Sequence, residues 1–327
     1  MKIGLMADNT PKFPSLPLMK LSAYHKSKGD TVELAQPFTH YDRVYISKTF
    51  NLNLKTVPQI DITDIDATEY ICGGTGYEIE LIDGKEVYVP KAWLSDLPYE
   101  IEHIYPDYSL YPELTKNTAY GFLTRGCSNN CPFCVVTQKE GCVSHKVADL
   151  SEWWDGQKSI KLLDANLLSC ADRSELLHQL VDSKASVDYT QGLDARFITE
   201  DIAKLICETK IKMAHFAFDL MKNEKAIVKG LQTFKTISGK DDRQLKVYIL
   251  VNFNTTFDED LYRVKTVMDL GYRPDVRIYQ KPTAPQFLKD LARWANNNLL
   301  YRTCSFEDYV PRADGKKISE IYGNIIR

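Results

Sequence analysis

The chain lacks any apolar run long enough to span a bilayer, and its opening MKIGLMADNT has no signal-peptide core. Neither a membrane anchor nor an export leader is therefore expected. It has no disulfide framework of the secreted kind, because eight cysteines spread through 327 residues, three of them clustered, are not the dense pattern of a small stapled scaffold. No Ser-His-Asp set, no Gly-x4-Gly-Lys-Ser loop and no His-Glu-x-x-His run occurs. An excess of one charge is missing too. Lys and Arg number 41 against 44 Asp and Glu, a balance of −3, which argues against broad, sequence-blind nucleic-acid binding. What remains is ordinary globular composition, 44% hydrophobic and 26% charged, with room for one large domain or two ordinary ones.

The charge is uneven. Residues 1–120 hold 11 Lys/Arg against 17 Asp/Glu, a balance of −6, and the remainder holds 30 against 27, or +3. The most basic stretch runs from Lys222 to Lys246 and includes Lys225, Lys229, Lys235, Lys240 and Arg243. It reads mainly as the solvated face of a helix and the loop after it, with a phosphate-bearing substrate as the sharper alternative.

The cysteines are where the chemistry concentrates. Cys127, Cys131 and Cys134 lie in the run Arg125-Gly-Cys-Ser-Asn-Asn-Cys-Pro-Phe-Cys-Val135. Three thiolates packed into one loop can hold three irons of a [4Fe-4S] cube and leave the fourth iron without a protein ligand. The rival is a structural zinc with Cys142 or His145 as fourth ligand. Zinc loops usually split their ligands two and two, which makes this spacing the poorer zinc pattern. A thiolate-held cluster also requires a reducing compartment, so a cytoplasmic location is expected. Cys72, Cys142, Cys170, Cys207 and Cys304 show no second cluster spacing, and core packing is their default reading.

Short apolar strands alternate with amphipathic helices from the motif onward, the pattern of repeated βα units on a parallel sheet. Strands are expected at 119–124, 158–163, 186–190, 212–218, 245–251 and 275–279. Helices are expected at 174–182, 199–209, 224–234 and 258–270, with Thr199 placed as an N-cap and Gly271 as a C-cap residue. Ahead of the motif, strands at 2–6, 31–34, 43–46 and 69–72 with a helix over 16–28 suggest a small Rossmann-like α/β layer. Its last strand runs into Gly73-Gly74-Thr75-Gly76, where backbone can approach a ligand closely. A Pro- and Tyr-rich connector follows. The expected division is 1–97 front domain, 98–118 connector, 119–284 repeated-βα domain and 285–327 C-terminal helical extension.

The Cys-x3-Cys-x2-Cys spacing, with Phe133 before the third thiol, resembles that of the radical S-adenosylmethionine (SAM) superfamily. The resemblance implies a partial (βα)6 barrel of the TIM-like type, with chemistry at the C-terminal ends of the strands. It implies a [4Fe-4S] cluster held by Cys127, Cys131 and Cys134, and SAM on the open iron. Reductive cleavage there would give a 5′-deoxyadenosyl radical that takes a hydrogen atom from substrate, with an external reductant such as flavodoxin or ferredoxin. By position at successive strand ends, the implied SAM contacts are Phe133, Asp164, Asn166, Gln191, Asp194, Arg196, Asp219 and Asn252. The wording departs from relatives at Leu163-Asp164-Ala165-Asn166 and at Asn252. An internal Asp194–Arg196 pair that fixes the loop is the bland reading of those two residues.

The front domain is similar to those of cobalamin-dependent and methylthiotransferase-like members. Domains that ligate cobalt use Asp-x-His-x-x-Gly, and the matching stretch Ala7–Pro14 has no histidine. His25 stands at the wrong spacing, inside the expected helix. Cobalamin is the less favoured reading, and a degenerate domain that covers or recognises substrate the preferred one. Small molecule, peptide, nucleotide and RNA remain open as substrates, with cobalamin-dependent radical methylation or methylthiolation as sub-readings. A zinc-stabilised binding module without catalysis is the rival from another class.

Overall fold

The computed structural model describes residues 1–7, 13–49, 62–83, 85–91 and 97–323. The chain divides into two compact units, one made of Met1–Leu163 with Asp182–Ala185 and the other of Asp164–Val181 with Ser186–Arg327.

The first unit begins with β1 (Lys2–Ala7), α1 (Leu16–Ser27), β2 (Thr31–Leu34), β3 (His40–Ser47) and β4 (Asp66–Gly73). These strands form a four-stranded sheet ordered β2-β1-β3-β4, parallel throughout. Each lies within three residues of where the pattern places it. Gly29, at φ +83, turns the chain out of α1 and into β2. Leu18 and Leu21 of α1 bury against Ile3, Leu5 and Ile101, and Tyr41, Val44 and Ile46 close the sheet's other core. His25 is buried in α1, its Nδ1 2.7 Å from Asp30 and its Nε2 3.0 Å from the Tyr45 hydroxyl. Both ring nitrogens are thus engaged in packing the layer. Residues 8–12 of the Ala7–Pro14 stretch lie outside the described residues.

A hairpin of β5 (Ile79–Ile82) and β6 (Lys85–Tyr88) follows, then the short helices α2 (Tyr99–Glu102) and α3 (Pro112–Thr115). The connector is tied to α1: Lys20 Nζ donates to Glu102 at 2.7 Å, and Ser22 and Lys26 both donate to Asp107 at 2.6 Å. The unit continues through β7 (Thr118–Gly121), β8 (Thr124–Arg125), α4 (Val136–Glu140), β9 (His145–Lys146) and β10 (Ser159–Leu162). The single strand expected over 119–124 is broken. Its ladder ends where Gly121 accepts from Leu163 N–H, and the carbonyl of Leu123 accepts instead from Val147 N–H at 2.8 Å, which draws the chain into a separate pairing. Gly121 permits a close approach as well, because a Cβ there would fall 2.3 Å from the Trp153 indole.

The second unit runs α5 (Arg173–Ser183, whose last residues belong to the first), β11 (Ser186–Leu193), α6 (Glu200–Glu208), β12 (Lys210–Ala217), α7 (Glu224–Ser238), β13 (Leu245–Val251), α8 (Phe257–Asp269), β14 (Arg273–Ile278), α9 (Gln286–Ala295), α10 (Asn298–Thr303) and α11 (Ile318–Ile321). Thr199 caps α6 by accepting from Ile202 N–H, and Thr256 with Glu259 forms a capping box on α8. The six-stranded sheet is ordered β14-β13-β12-β11-β10-β7. The protein is therefore a mixed α/β chain built on parallel sheets.

Burial alternates along these strands. Leu245, Val247, Ile249 and Val251 of β13 are buried, whereas Lys246, Tyr248 and Leu250 between them are only partly so. The buried set packs under the helices, with Phe216 of β12 meeting Phe234 of α7 at 5.0 Å and Tyr272 at 5.7 Å. A parallel sheet covered on both faces reads as continuous apolar runs. Here the second face carries polar groups.

Candidate functional site

The three clustered cysteines sit on a loop closed by a stem. β8 and β9 pair antiparallel, Thr124 with Lys146 and Arg125 with His145, so that residues 126–144 form the loop. Glu140 bridges its base, accepting from Arg125 Nη1 at 2.9 Å and from Gly126 N–H at 3.1 Å. Cys127 N–H donates to the carbonyl of Gly141 at 3.2 Å. Gly126 is required: its φ is +85, and a Cβ would stand 2.2 Å from the carbonyl oxygen of Val143. Cys134 N–H donates to Cys131 at 3.0 Å, closing the turn between the second and third thiols.

Cys127, Cys131 and Cys134 are all half-buried, as is Phe133, and no disulfide joins any of the eight cysteines. Among the described residues, no group of three or more His, Cys, Asp or Glu side chains is arranged as a metal site. The donor chemistry nonetheless fits a thiolate-held group. Three unbridged thiols share one loop whose backbone is closed by its own hydrogen bonds. Cys142 is exposed, and His145 donates from Nδ1 to the carbonyl of Val143 at 3.2 Å.

Within the same unit the glycine turn after β4 reaches this loop. Lys139 of α4, five residues beyond Cys134, donates from Nζ to Thr75 Oγ1 at 2.5 Å and pairs with Glu78 at 3.2 Å. The Gly73–Gly76 turn is thus part of the support of the cysteine loop. Neighbouring residues divide the work: Glu140 ties the loop to its own base, and Lys139 ties it to the front layer.

The remaining candidates lie in the second unit. Asn166 and Asp164 are buried after β10. Asn166 Nδ2 donates to Asp194 Oδ2 at 3.0 Å, and Asp194 accepts from Arg196 through Nε at 2.9 Å, Nη2 at 2.7 Å and the backbone N–H at 3.1 Å. Asn166, Asp194 and Arg196 are therefore brought together, with the internal Asp194–Arg196 pair present. Gln191 is apart from them, exposed at an irregularity of β11 where the register with β12 shifts and Gly192 takes φ +115.

Asp219, after β12, accepts from Leu250 N–H at 2.8 Å, and burial pushes its carboxyl up to about 6. Asn252, at φ +70, donates from Nδ2 to the carbonyl of Tyr279 at 2.9 Å and from its backbone to Asp260 at 3.2 Å. It acts as a clasp between the ends of β13 and β14. In the basic stretch, Lys222, Lys225 and Lys229 are exposed, whereas Lys235 donates to the carbonyls of Lys240 and Gly271.

Sequence reasoning missed the polar face of β11–β14. Asp188, His215, Lys246, Tyr248, Asp275 and Arg277 share it through the parallel registers. The signal was legible as polar residues at every second position, Lys246-x-Tyr248 and Asp275-x-Arg277, in strands of a parallel sheet. No family model matches the chain, and no curated protein matches it.

Proposed function

We propose that this chain is a radical SAM enzyme, with Cys127, Cys131 and Cys134 as the three protein ligands of a [4Fe-4S] cluster and SAM on the remaining iron. The observation that carries the reading is the stem-closed loop. It follows β7 directly, at the C-terminal end of a parallel-sheet strand, where α/β proteins collect their chemistry. When bound, the cluster and SAM would supply one-electron cleavage to methionine and a 5′-deoxyadenosyl radical. We read the six-stranded parallel sheet as the partial barrel of that class and the front sheet as its Rossmann-like companion. In this reading Gly126 and Glu140 fix the mouth of the loop, Lys139 holds it against the front layer, and Phe133 would pack beside the adenine of SAM. Asn166, Asp194 and Arg196 form one polar block suited to the amino and carboxylate groups of SAM, and Asp164, Asp219 and Asn252 stand at neighbouring strand ends. Gln191 would reach ligand from the irregular segment of β11. A flavodoxin- or ferredoxin-like donor supplies the electron, and a cytoplasmic location suits the thiolates. Cobalamin has no histidine ligand in this reading, and the front layer serves as support.

The test is anaerobic reconstitution with iron and sulfide. The expected outcome is a brown protein that converts SAM to 5′-deoxyadenosine under a chemical reductant, with both properties lost in the Cys127→Ala, Cys131→Ala and Cys134→Ala variants. A colourless protein that holds one zinc and leaves SAM untouched would establish the zinc-stabilised binding module instead.

A further inference from the structure

The polar face of the second unit holds a histidine that the cluster chemistry does not use. His215 of β12 is 7% exposed, and its Nδ1 lies 3.0 Å from the carbonyl oxygen of Tyr189. A carbonyl only accepts, so Nδ1 carries the proton. Burial also lowers the affinity of this imidazole for a second proton, opposed by the Tyr189 carbonyl and by Asp188 and Asp275, and reinforced by Lys246. The ring is therefore neutral near pH 7, with its lone pair on Nε2. Among the described residues the ring makes its hydrogen bond through Nδ1, and Nε2 is left open to solvent. The Tyr248 ring lies parallel to the imidazole, with centroids 5.1 Å apart and planes 6° from each other, and donates its hydroxyl to the carbonyl of Thr190 at 3.2 Å. Both rings are held.

The donors beside this acceptor are only partly used. Lys246, the register partner of His215 on β13, donates to Asp275 at 2.9 Å. Among the described residues it has no other acceptor, which leaves two of its three ammonium hydrogens. Arg277 grips the same Asp275 through Nε at 2.7 Å and Nη2 at 3.2 Å and keeps Nη1 in reserve. Asp275 is thus matched by two cations, and both keep donors beyond those it takes. The arrangement runs from an open lone pair on the buried His215 through the half-buried Lys246 to the exposed Arg277 at the rim, a set of groups that a ligand entering from solvent would engage together.

We infer that this face is a ligand site for a small molecule bearing an O–H or N–H group beside an oxyanion, the donor resting on His215 Nε2 and the oxyanion on Lys246 and Arg277. The stacked His215 and Tyr248 rings give it a flat, pre-ordered wall. The inference stands apart from the cluster, since neither iron nor SAM enters it.

Diethyl pyrocarbonate, which acylates unprotonated imidazole nitrogen, tests it on the full chain, with peptide mass spectrometry resolving each of the six histidines. His215 is expected to react in the native protein despite its burial. Lactate and glycerol 2-phosphate, which pair a hydroxyl with a carboxylate or a phosphate, serve as probes. At least one should slow that acylation by about fivefold when present at about four times its Kd. Protection by one alone assigns the oxyanion as carboxylate or phosphate. Propionate, which has no donor, should change the rate by less than about twofold under the same occupancy arithmetic. Lys246→Met should abolish protection, judged against that variant's own unprotected rate. The proposal is overturned if His215 is inert until the chain is unfolded in urea, if neither probe slows the reaction, or if propionate protects equally well. The wild-type comparisons decide the matter even where the Lys246 variant fails to fold.

Discussion

At the scale of single residues, the most consequential group is a carboxyl held away from water. Asp219 keeps one hydrogen bond, from Leu250 N–H, and Arg263 lies close enough to favour its ionised form, yet burial dominates and its pKa rises from 3.8 to about 6. The sign of the linkage follows. Between the unfolded and folded values the native state holds a proton that the unfolded chain has released, so stability is fully present below about pH 4 and declines as pH rises to about 6. Asp219→Asn removes the titration while keeping an acceptor for Leu250. Its stability relative to wild type should therefore improve by up to about 3 kcal/mol between pH 4 and pH 7. Urea titrations at the two pH values measure this, and a pH-independent difference would refute the assignment. The carboxyl belongs to a residue singled out from sequence as a SAM contact. Its position after a strand was legible, but its burial was not, because burial depends on how Leu250 and Arg263 pack around it.

At the scale of elements, helices hold strand ends in place. Arg263 and Asp260 of α8 are fully buried and paired with each other. Arg263 donates from Nη1 to the carbonyls of Phe218 at 2.8 Å and Asp219 at 2.9 Å, while Asp260 accepts from Thr255 Oγ1 at 2.7 Å and Asn252 N–H at 3.2 Å. One turn of α8 thus sets the exits of both β12 and β13. Arg263→Met would leave Asp260 buried without its cation and should cost about 3–5 kcal/mol in urea unfolding. A cost below about 1 kcal/mol would show that the pair is dispensable. The cysteine loop offers the complementary case. Gly126→Ala must either move Val143 or abandon the positive φ, a local strain of roughly 1–3 kcal/mol. Amide exchange over 126–141 should then quicken by about 5- to 140-fold, since 1.4 kcal/mol corresponds to tenfold, with the four-stranded front sheet unaffected. Unchanged exchange would mean that the stem does not depend on this glycine. The stem itself could not be read from sequence. Its strands are two residues each, they pair across a long loop, and the apolar run over 119–124 looks continuous until Gly121 and Trp153 are seen in contact.

At the scale of the whole chain, the βα alternation was legible because each strand and helix carries its own period. Helix starts were marked by local chemistry such as Thr199, and β13 falls on residues 245–251 as the pattern places it. Long-range ties were not legible, and they bear on how the chain folds. The front layer and the cysteine loop belong to one compact unit, joined by Lys139 to Thr75 and Glu78, and the connector joins α1 through Lys20 to Glu102 and Lys26 to Asp107. The apolar side of α1 buries Ile101 as well, so the connector takes part in the front core. A chain reduced to residues 98–327 would expose Ile101 and remove the front-layer partners of Lys139, Glu102 and Asp107 at once. Each exposed ion pair is worth little alone, about 0–1 kcal/mol, but the lost apolar burial is not recovered elsewhere. The expected outcome is a truncated chain in which exchange is fast over 98–163 and cooperative melting is confined to the remainder. Full protection of 126–141 in that chain would show instead that the cysteine loop is self-supporting and that the front layer contributes nothing to holding it.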